Sequence, residues 1–228
     1  PHTAASVPFQ DRRLCLVLHA ISLALAVLVA SEAQSQERPA SDSQVVAALL
    51  DSAVNFESGT AGAQQQVAIL RRALSLARQA RLRTPEVVAL ALLANSFQKI
   101  GTPDSAIRAA RELVKVADSY GDLSGEGWGY FILVEVYRDI YLVDSVLSSG
   151  ARAWGVCARM RPCWFRNQLL AVVAPFSPDS MLPLDALVMA AAGARAAADT
   201  TGLLLLYEAI GDRYLNRVAN FDSSLAYF

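Results

Sequence analysis

From Val45 onward, apolar residues return at three- and four-residue intervals, and Ala, Leu, Arg and Gln dominate. That spacing gathers the apolar side chains on one stripe of a helix and leaves little signal for strands, so the chain reads as all-α. Five short tags recur within it: Gln65-Gln66-Val67-Ala68-Ile69, Pro103-Asp104-Ser105-Ala106-Ile107, Val143-Asp144-Ser145-Val146-Leu147, Pro183-Leu184-Asp185-Ala186-Leu187 and Phe221-Asp222-Ser223-Ser224-Leu225. Their starts lie 38, 40, 40 and 38 residues apart. A period of this size marks stacked supersecondary units, none of which buries its apolar face without neighbours. The pattern predicts about five antiparallel hairpins. First helices fall near 43–57, 85–100, 125–140, 164–174 and 202–217, and second helices near 62–81, 103–120, 143–160, 183–199 and from 221.

Each tag is expected to open a second helix. Asp or Ser ahead of the small residue can accept hydrogen bonds from the free N–H groups of the first turn, and Pro stops the preceding helix. Ala106, Ala110, Leu113 and Ala117 form a narrow stripe for close helix approach, with Ile107 and Val114 beside it, and Ala186, Ala190 and Ala197 repeat the stripe. Pro175, Pro178 and Pro183 make 164–183 the least regular stretch, where a local distortion is expected. The helix that the last tag opens is cut off at Phe228 after barely two turns, leaving Leu225 and Phe228 without a capping neighbour, so the natural protein is expected to continue and this end is a candidate for self-association.

Leu90, Leu93-Ala94, Phe97, Gly101, Ala106 and Leu113 fall at the spacings of a tetratricopeptide repeat (TPR), which this segment resembles. The next unit keeps Tyr130, Leu133, Tyr137 and Leu147 but carries Tyr141 in place of the turn glycine and Gly150 at a packing position. In the last unit Ile210-Gly211 and Tyr214 match, with one extra residue before Phe221. The resemblance covers 45–228; the period exceeds the family's usual ~34 residues, which leaves other helical-hairpin arrays open. It implies a groove lined by the first helices, taking a protein or peptide. The groove positions carried over are Ala91, Asn95 and Gln98, then Trp128, Phe131, Glu135 and Arg138, then Glu208 and Asp212. For Trp128 and Phe131 the competing reading is plain core. Asn95 matches one element of the carboxylate clamp of some family members, but its partner lysines are missing, so that ligand is not expected.

Ahead of the repeats, Asp11, Arg12 and Arg13 precede an apolar run from Leu14 to Ala30 and a small-x-small triplet, Ser31-Glu32-Ala33. Residues 1–33 read as a secretory signal peptide or an uncleaved membrane anchor, 34–43 as a linker, and 44–228 as the repeat domain. Cys15 stands at the start of the run rather than at its cleavage end, so lipid attachment there is not expected. The chain opens on Pro1, which points to a start further upstream. An exported, periplasmic or membrane-associated bacterial location follows, with membrane contact only through this leader.

Composition narrows the chemistry. The formal charge is −1 with no dense Lys/Arg run, which removes the electrostatic footprint of a nucleic-acid binder. The two histidines, His2 and His19, both lie in or before the leader. A processed chain then has none for a nucleophile triad, a His-bearing zinc site or general-base catalysis. No Gly-rich phosphate loop is present. No cofactor, metal or catalytic residue is expected, and Glu135, Asp139, Glu208 and Asp212 read as solvating charges of an array that is not an enzyme. Cys157 and Cys163 lie six apart around Pro162, and either form a disulfide or remain separate thiols, Cys157 taking the place of Ala117 and Ala197. The function expected is binding: the extracytoplasmic sensing or interaction segment of a larger bacterial signalling protein, or alternatively a free periplasmic or envelope scaffold without an output domain.

Overall fold

The computed structural model describes residues 40–55, 60–178, 182–215 and 226–227, and among these the regular elements are all helices, α throughout except for a π turn at 214–215. The leader and the tag at 221–225 lie outside the described residues. The helices are α1 (Ala40–Val54), α2 (Thr60–Gln79), α3 (Arg83–Ile100), α4 (Pro103–Tyr120), α5 (Leu123–Asp139), α6 (Val143–Arg159), α7 (Arg166–Val173), α8 (Leu184–Ala196) and α9 (Thr200–Arg213). The described residues divide into two compact units, the first ending at Thr102 and the second beginning at Pro103. In the first, α2 packs on α1 and α3. In the second, α4 packs on α5, α5 on α6, and α8 on α9, while α7 lies against both α5 and α9.

Second helices share one register. Gln66, Ala106 and Val146 are buried at intervals of 40, as are Leu70, Ala110 and Gly150, then Ala73, Leu113 and Ala153, then Ala77, Ala117 and Cys157. The first interval is therefore 40 in space, not the 38 that matching the Gln65 tag suggests. Polar Gln66 at a core position misleads the sequence comparison. It is buried because its Nε2 donates to the Ala53 carbonyl of α1 at 2.7 Å while its Oε1 accepts from Ser96 Oγ of α3 at 2.8 Å. One amide thus ties three helices together, with each polar group satisfied.

The turns repeat at half that interval. Arg81, Gly101, Gly121 and Tyr141, each 20 residues after the last, all hold a left-handed φ between 55° and 76°. In each case the next residue donates its N–H five residues back: Leu82 to Ala77, Thr102 to Phe97, Asp122 to Ala117 and Leu142 to Tyr137, at 2.8–2.9 Å. Ala198 repeats the motif through Asp199 and Ala194. This paired bond satisfies orphan carbonyls and reverses the chain within two or three residues. The next turn in the series would fall at Arg161. Pro162 follows it and has no N–H to donate, so the motif cannot form there. Instead Met160 is extended, the Arg161–Pro162 peptide is cis, and the chain is pinned by a Cys157–Cys163 disulfide with Cα atoms 5.2 Å apart.

Beyond this break the register shifts. Helix α7 has only 8 residues and ends before Pro175. Helix α8 buries Leu187, Ala191 and Ala194, so the stripe expected at Ala186, Ala190 and Ala197 is rotated by one residue and Ala197 is exposed. The proline-rich segment ahead of α8 changes the residue count between units, and the core face follows the count.

Two further expectations need correction. Helix α1 begins at Ala40, so the last four linker residues are helical, with Asp42 in the first turn where an acidic side chain suits the helix dipole. The tag acids Asp144 and Asp185 sit inside the first turns of α6 and α8, whose N-cap residues, Leu142 and Pro183, make no side-chain cap. The left-handed turn before α6 leaves only Leu142 as its cap position. Side-chain capping instead opens first helices: Asp122 accepts from the Gly125 N–H at 2.9 Å, and Asp199 from the Gly202 N–H at 2.8 Å.

Candidate functional site

In the first unit, Asn95 and Gln98 sit half-buried on α3, as does Ala91. Asn95 Nδ2 is buried with no protein acceptor, although the residue itself keeps some exposure. Phe97 lies beneath the guanidinium of Arg71, 5.7 Å from the ring centre. Lys99 follows, and its burial pushes the ammonium pKa below the usual lysine value because a charged group loses water there.

In the second unit, Trp128, Phe131, Glu135 and Arg138 run along one face of α5 at helical spacing. They do not serve alike. Phe131 is 4% exposed and belongs to the core, so it is corrected from groove position to packing position. The cause is Phe165, fully buried, which rests over α5 at Gly127, with the Phe131 and Phe165 rings 6.3 Å apart. A Cβ on Gly127 would lie 2.7 Å from the Phe165 ring, so glycine at that helical position is what admits it. Trp128 is half-buried, stacked on Phe131 at 5.5 Å and tilted against Trp164 at 5.0 Å. Trp164 keeps 37% exposure and donates its indole N–H to Ser124 Oγ at 3.3 Å. The disulfide holds Cys163 immediately before this Trp164-Phe165 pair and so fixes where the two rings meet α5.

Farther along α5, Arg138 lies between two carboxylates, 3.8 Å from Glu135 and 2.9 Å from Asp139. The two acids therefore share a guanidinium rather than face each other as an acid and base pair would. On α9, Glu208 and Asp212 are half-buried one turn apart, Glu208 taking the place that Phe131 holds on α5, 77 residues earlier, the spacing that also separates Asp122 from Asp199. Between α5 and α9 lies α7, for which the sequence named no groove residue. There Gln168, 40 residues after Trp128 and so in its register, buries an Oε1 that has no protein donor. That 40-residue offset was the signal that could have found it. Its neighbour Asn167 donates to Asp199 Oδ2 at 2.8 Å, tying α7 to the start of α9.

The remaining polar contacts serve the scaffold. Arg213, 4% exposed, donates to the carbonyls of Ala174, Ser177 and Leu182 and so closes the end of α7 and the irregular chain after it. Arg195 of α8 donates to the Tyr207 hydroxyl and lies over its ring. Tyr227 stacks on Tyr214 at 5.8 Å and meets Tyr207 edge-on at 5.6 Å, so a side chain from the last residues rests on α9. Leu225 and Phe228 lie outside the described residues. Among the described residues no group of three or more His, Cys, Asp and Glu is placed to hold a metal, and no helix is long and apolar enough to cross a membrane. Neither a model of a protein family nor a curated protein matches the chain.

Proposed function

We propose that the chain is a TPR-like array of stacked helix hairpins that binds a protein or peptide along its first helices, outside the cytoplasm, as the sensing or interaction segment of a larger bacterial signalling protein. The observation that carries this reading is the repetition itself: buried positions recur at 40 residues and left-handed turns at 20. A fold spent on repeating one packing unit offers an extended row of side chains instead of one deep pocket. In the second unit that row runs over α5, α7 and α9, and offers the edge of Trp128, the free acceptor of Gln168, and the charges of Glu208 and Asp212. An aromatic anchor with polar groups around it is the composition of a peptide-binding hot spot. The Cys157–Cys163 disulfide supports export, since such bonds persist in oxidising compartments, and it agrees with the leader.

Selection from a displayed peptide library against the processed, oxidised chain tests the proposal. Peptides that bind the chain and lose tenfold or more affinity to Trp128→Ala, and to Glu208→Ala with Asp212→Ala, are expected. Selected peptides indifferent to all three substitutions would refute the assigned row.

A further inference from the structure

We propose that the outward face of α6, with the start of α7, is a second docking surface, fitted to an acidic peptide segment of a partner protein. The case starts from charge. Residues 145–178 contain Arg152, Arg159, Arg161 and Arg166 and no Asp or Glu, a formal +4 in a chain whose total is −1. All four arginines are exposed. Arg159 pairs with Glu126 of α5 while keeping 53% of its side chain exposed. Among the described residues the other three have no acidic partner. Attraction of cations to a helix C-terminus accounts for Arg159, in the last turn of α6, but not for Arg152 two turns earlier. Like charges gathered on one exposed face repel one another until an anion neutralises them.

The surface is also shaped. Arg152 and Arg159, seven residues apart, line one edge of the outward face, while Trp154, 41% exposed, lies on the other with Arg166 stacked 5.5 Å above its ring. Gly155 lies between the edges, beside the small Ala151 and Ala158, and a Cβ built on it meets nothing within 4 Å, so no long side chain obstructs the middle of this face. The disulfide ties the last turns of α6 to the segment bearing Arg161 and Arg166, which presets the arginines of both elements before any partner arrives. Arg152 and Arg159 stand about 10 Å apart along the helix, and carboxylates three residues apart on a polyproline-II chain lie on one side of it about 9 Å apart. Planar guanidinium forks suit carboxylates at both ends. A duplex nucleic acid is the poorer fit, because useful affinity there draws on roughly six to ten phosphate contacts. This face holds four guanidiniums, one of them already paired. The surface lies on the second helix α6 and is separate from the row assigned to the primary partner.

Fluorescence anisotropy of a fluorescein-labelled peptide with Glu at every third position of a Ser/Thr spacer, titrated with the full oxidised chain, tests this. The comparators are the same peptide with Gln for Glu and a single-stranded oligothymidine of equal charge. Salt-sensitive binding of the Glu peptide is expected, weakened at least tenfold in the Arg152→Gln, Arg166→Gln double variant and unchanged in Arg108→Gln, an exposed arginine on α4. Peptide addition should also change Trp154 emission, and Trp154→Phe should remove that change. Equal binding of the Gln peptide, equal loss in Arg108→Gln, absence of binding, or tighter binding of oligothymidine would each overturn the proposal.

Discussion

Two glycines inside helices should respond to alanine with opposite signs. Away from contacts, replacing a helix-interior glycine by alanine stabilises by about 1 kcal/mol, because glycine has more backbone freedom to lose. Gly155 of α6 is such a position, with nothing within 4 Å of a built Cβ. Gly129 of α5 is not. A Cβ there would lie 2.6 Å from Val114 Cγ2 and 3.2 Å from both the Ala110 carbonyl oxygen and the Val114 nitrogen of α4. The valine can turn aside; the two backbone atoms can move only if α4 and α5 separate. Overpacking of this kind costs ~1–3 kcal/mol, and its upper part applies where backbone opposes backbone. Set against the propensity gain, Gly129→Ala should destabilise by about 1–2 kcal/mol, a fall of a few degrees in Tm for a domain of this size. Urea and thermal unfolding followed by circular dichroism would measure both variants. Combining Gly129→Ala with Val114→Ala should recover part of the loss, giving a coupling of about 0.5 kcal/mol or more between the sites. If Gly129→Ala stabilises as Gly155→Ala does, the close approach of α4 to α5 is wrong.

Tyr141 is 81% exposed and holds a left-handed φ of 58°, so Tyr141→Gly loses little burial and should raise stability by roughly 0.5–1 kcal/mol in a denaturant titration. A lower midpoint would count against the turn. The seven-residue loop closed by Cys157 and Cys163 makes their bond worth about 2 kcal/mol. A thiol reductant should therefore lower the Tm of the wild type and leave the Cys157→Ala, Cys163→Ala variant unmoved; two free thiols in the unreduced exported protein would refute the bond. Arg213→Ala removes a donor from the carbonyls of Ala174, Ser177 and Leu182, the first of which keeps the Ser177 N–H, and should cost ~2 kcal/mol or more; a near-neutral result would show that water replaces the guanidinium. Ala106 is fully buried, so Ala106→Arg combines overpacking with charge burial and should cost on the order of 3 kcal/mol or more; an unchanged Tm would remove α4's assigned core face.

The helices could be read from the chain because their signals are local. Gly101 and Gly121 supply the left-handed turn that any chain reversal of this kind needs, and Pro103 takes the first position of the helix that follows the Gly101 turn. Arg81, Tyr141 and Ala198 make the same turn without glycine, which residue type cannot announce; only their 20-residue spacing from the others, in two of the three cases, does so. The register past Pro162 was not legible for a different reason. It depends on how many residues the proline-rich segment consumes before the core is regained, and α8 rotates by one residue to keep Leu187, Ala191 and Ala194 inward.

The groove positions separate along the same line. A helical face chosen from spacing alone cannot tell which members a distant segment will cover, and here the cover is Trp164-Phe165, delivered to α5 by a break in the repeat. Phe165 needs Gly127 to reach its place, so that glycine of α5, a poor helix former, marks the side on which another residue enters, while Gly129 faces α4. Phe131 is lost to that packing and Trp128 is left as an edge. The same break that buries one aromatic sets Arg161 and Arg166 beside α6, and the acid-free stretch from 145 to 178 was visible in the sequence without its geometry. Where the repeat fails, the chain no longer spends its residues on copying the unit. Both the remodelled aromatic edge and two of the arginines without an acidic partner among the described residues lie there, and that coincidence makes the exposed Arg161, Trp164 and Arg166, rather than the disulfide or the buried Phe165 between them, the residues whose substitutions should alter the proposed binding most for the least change in fold.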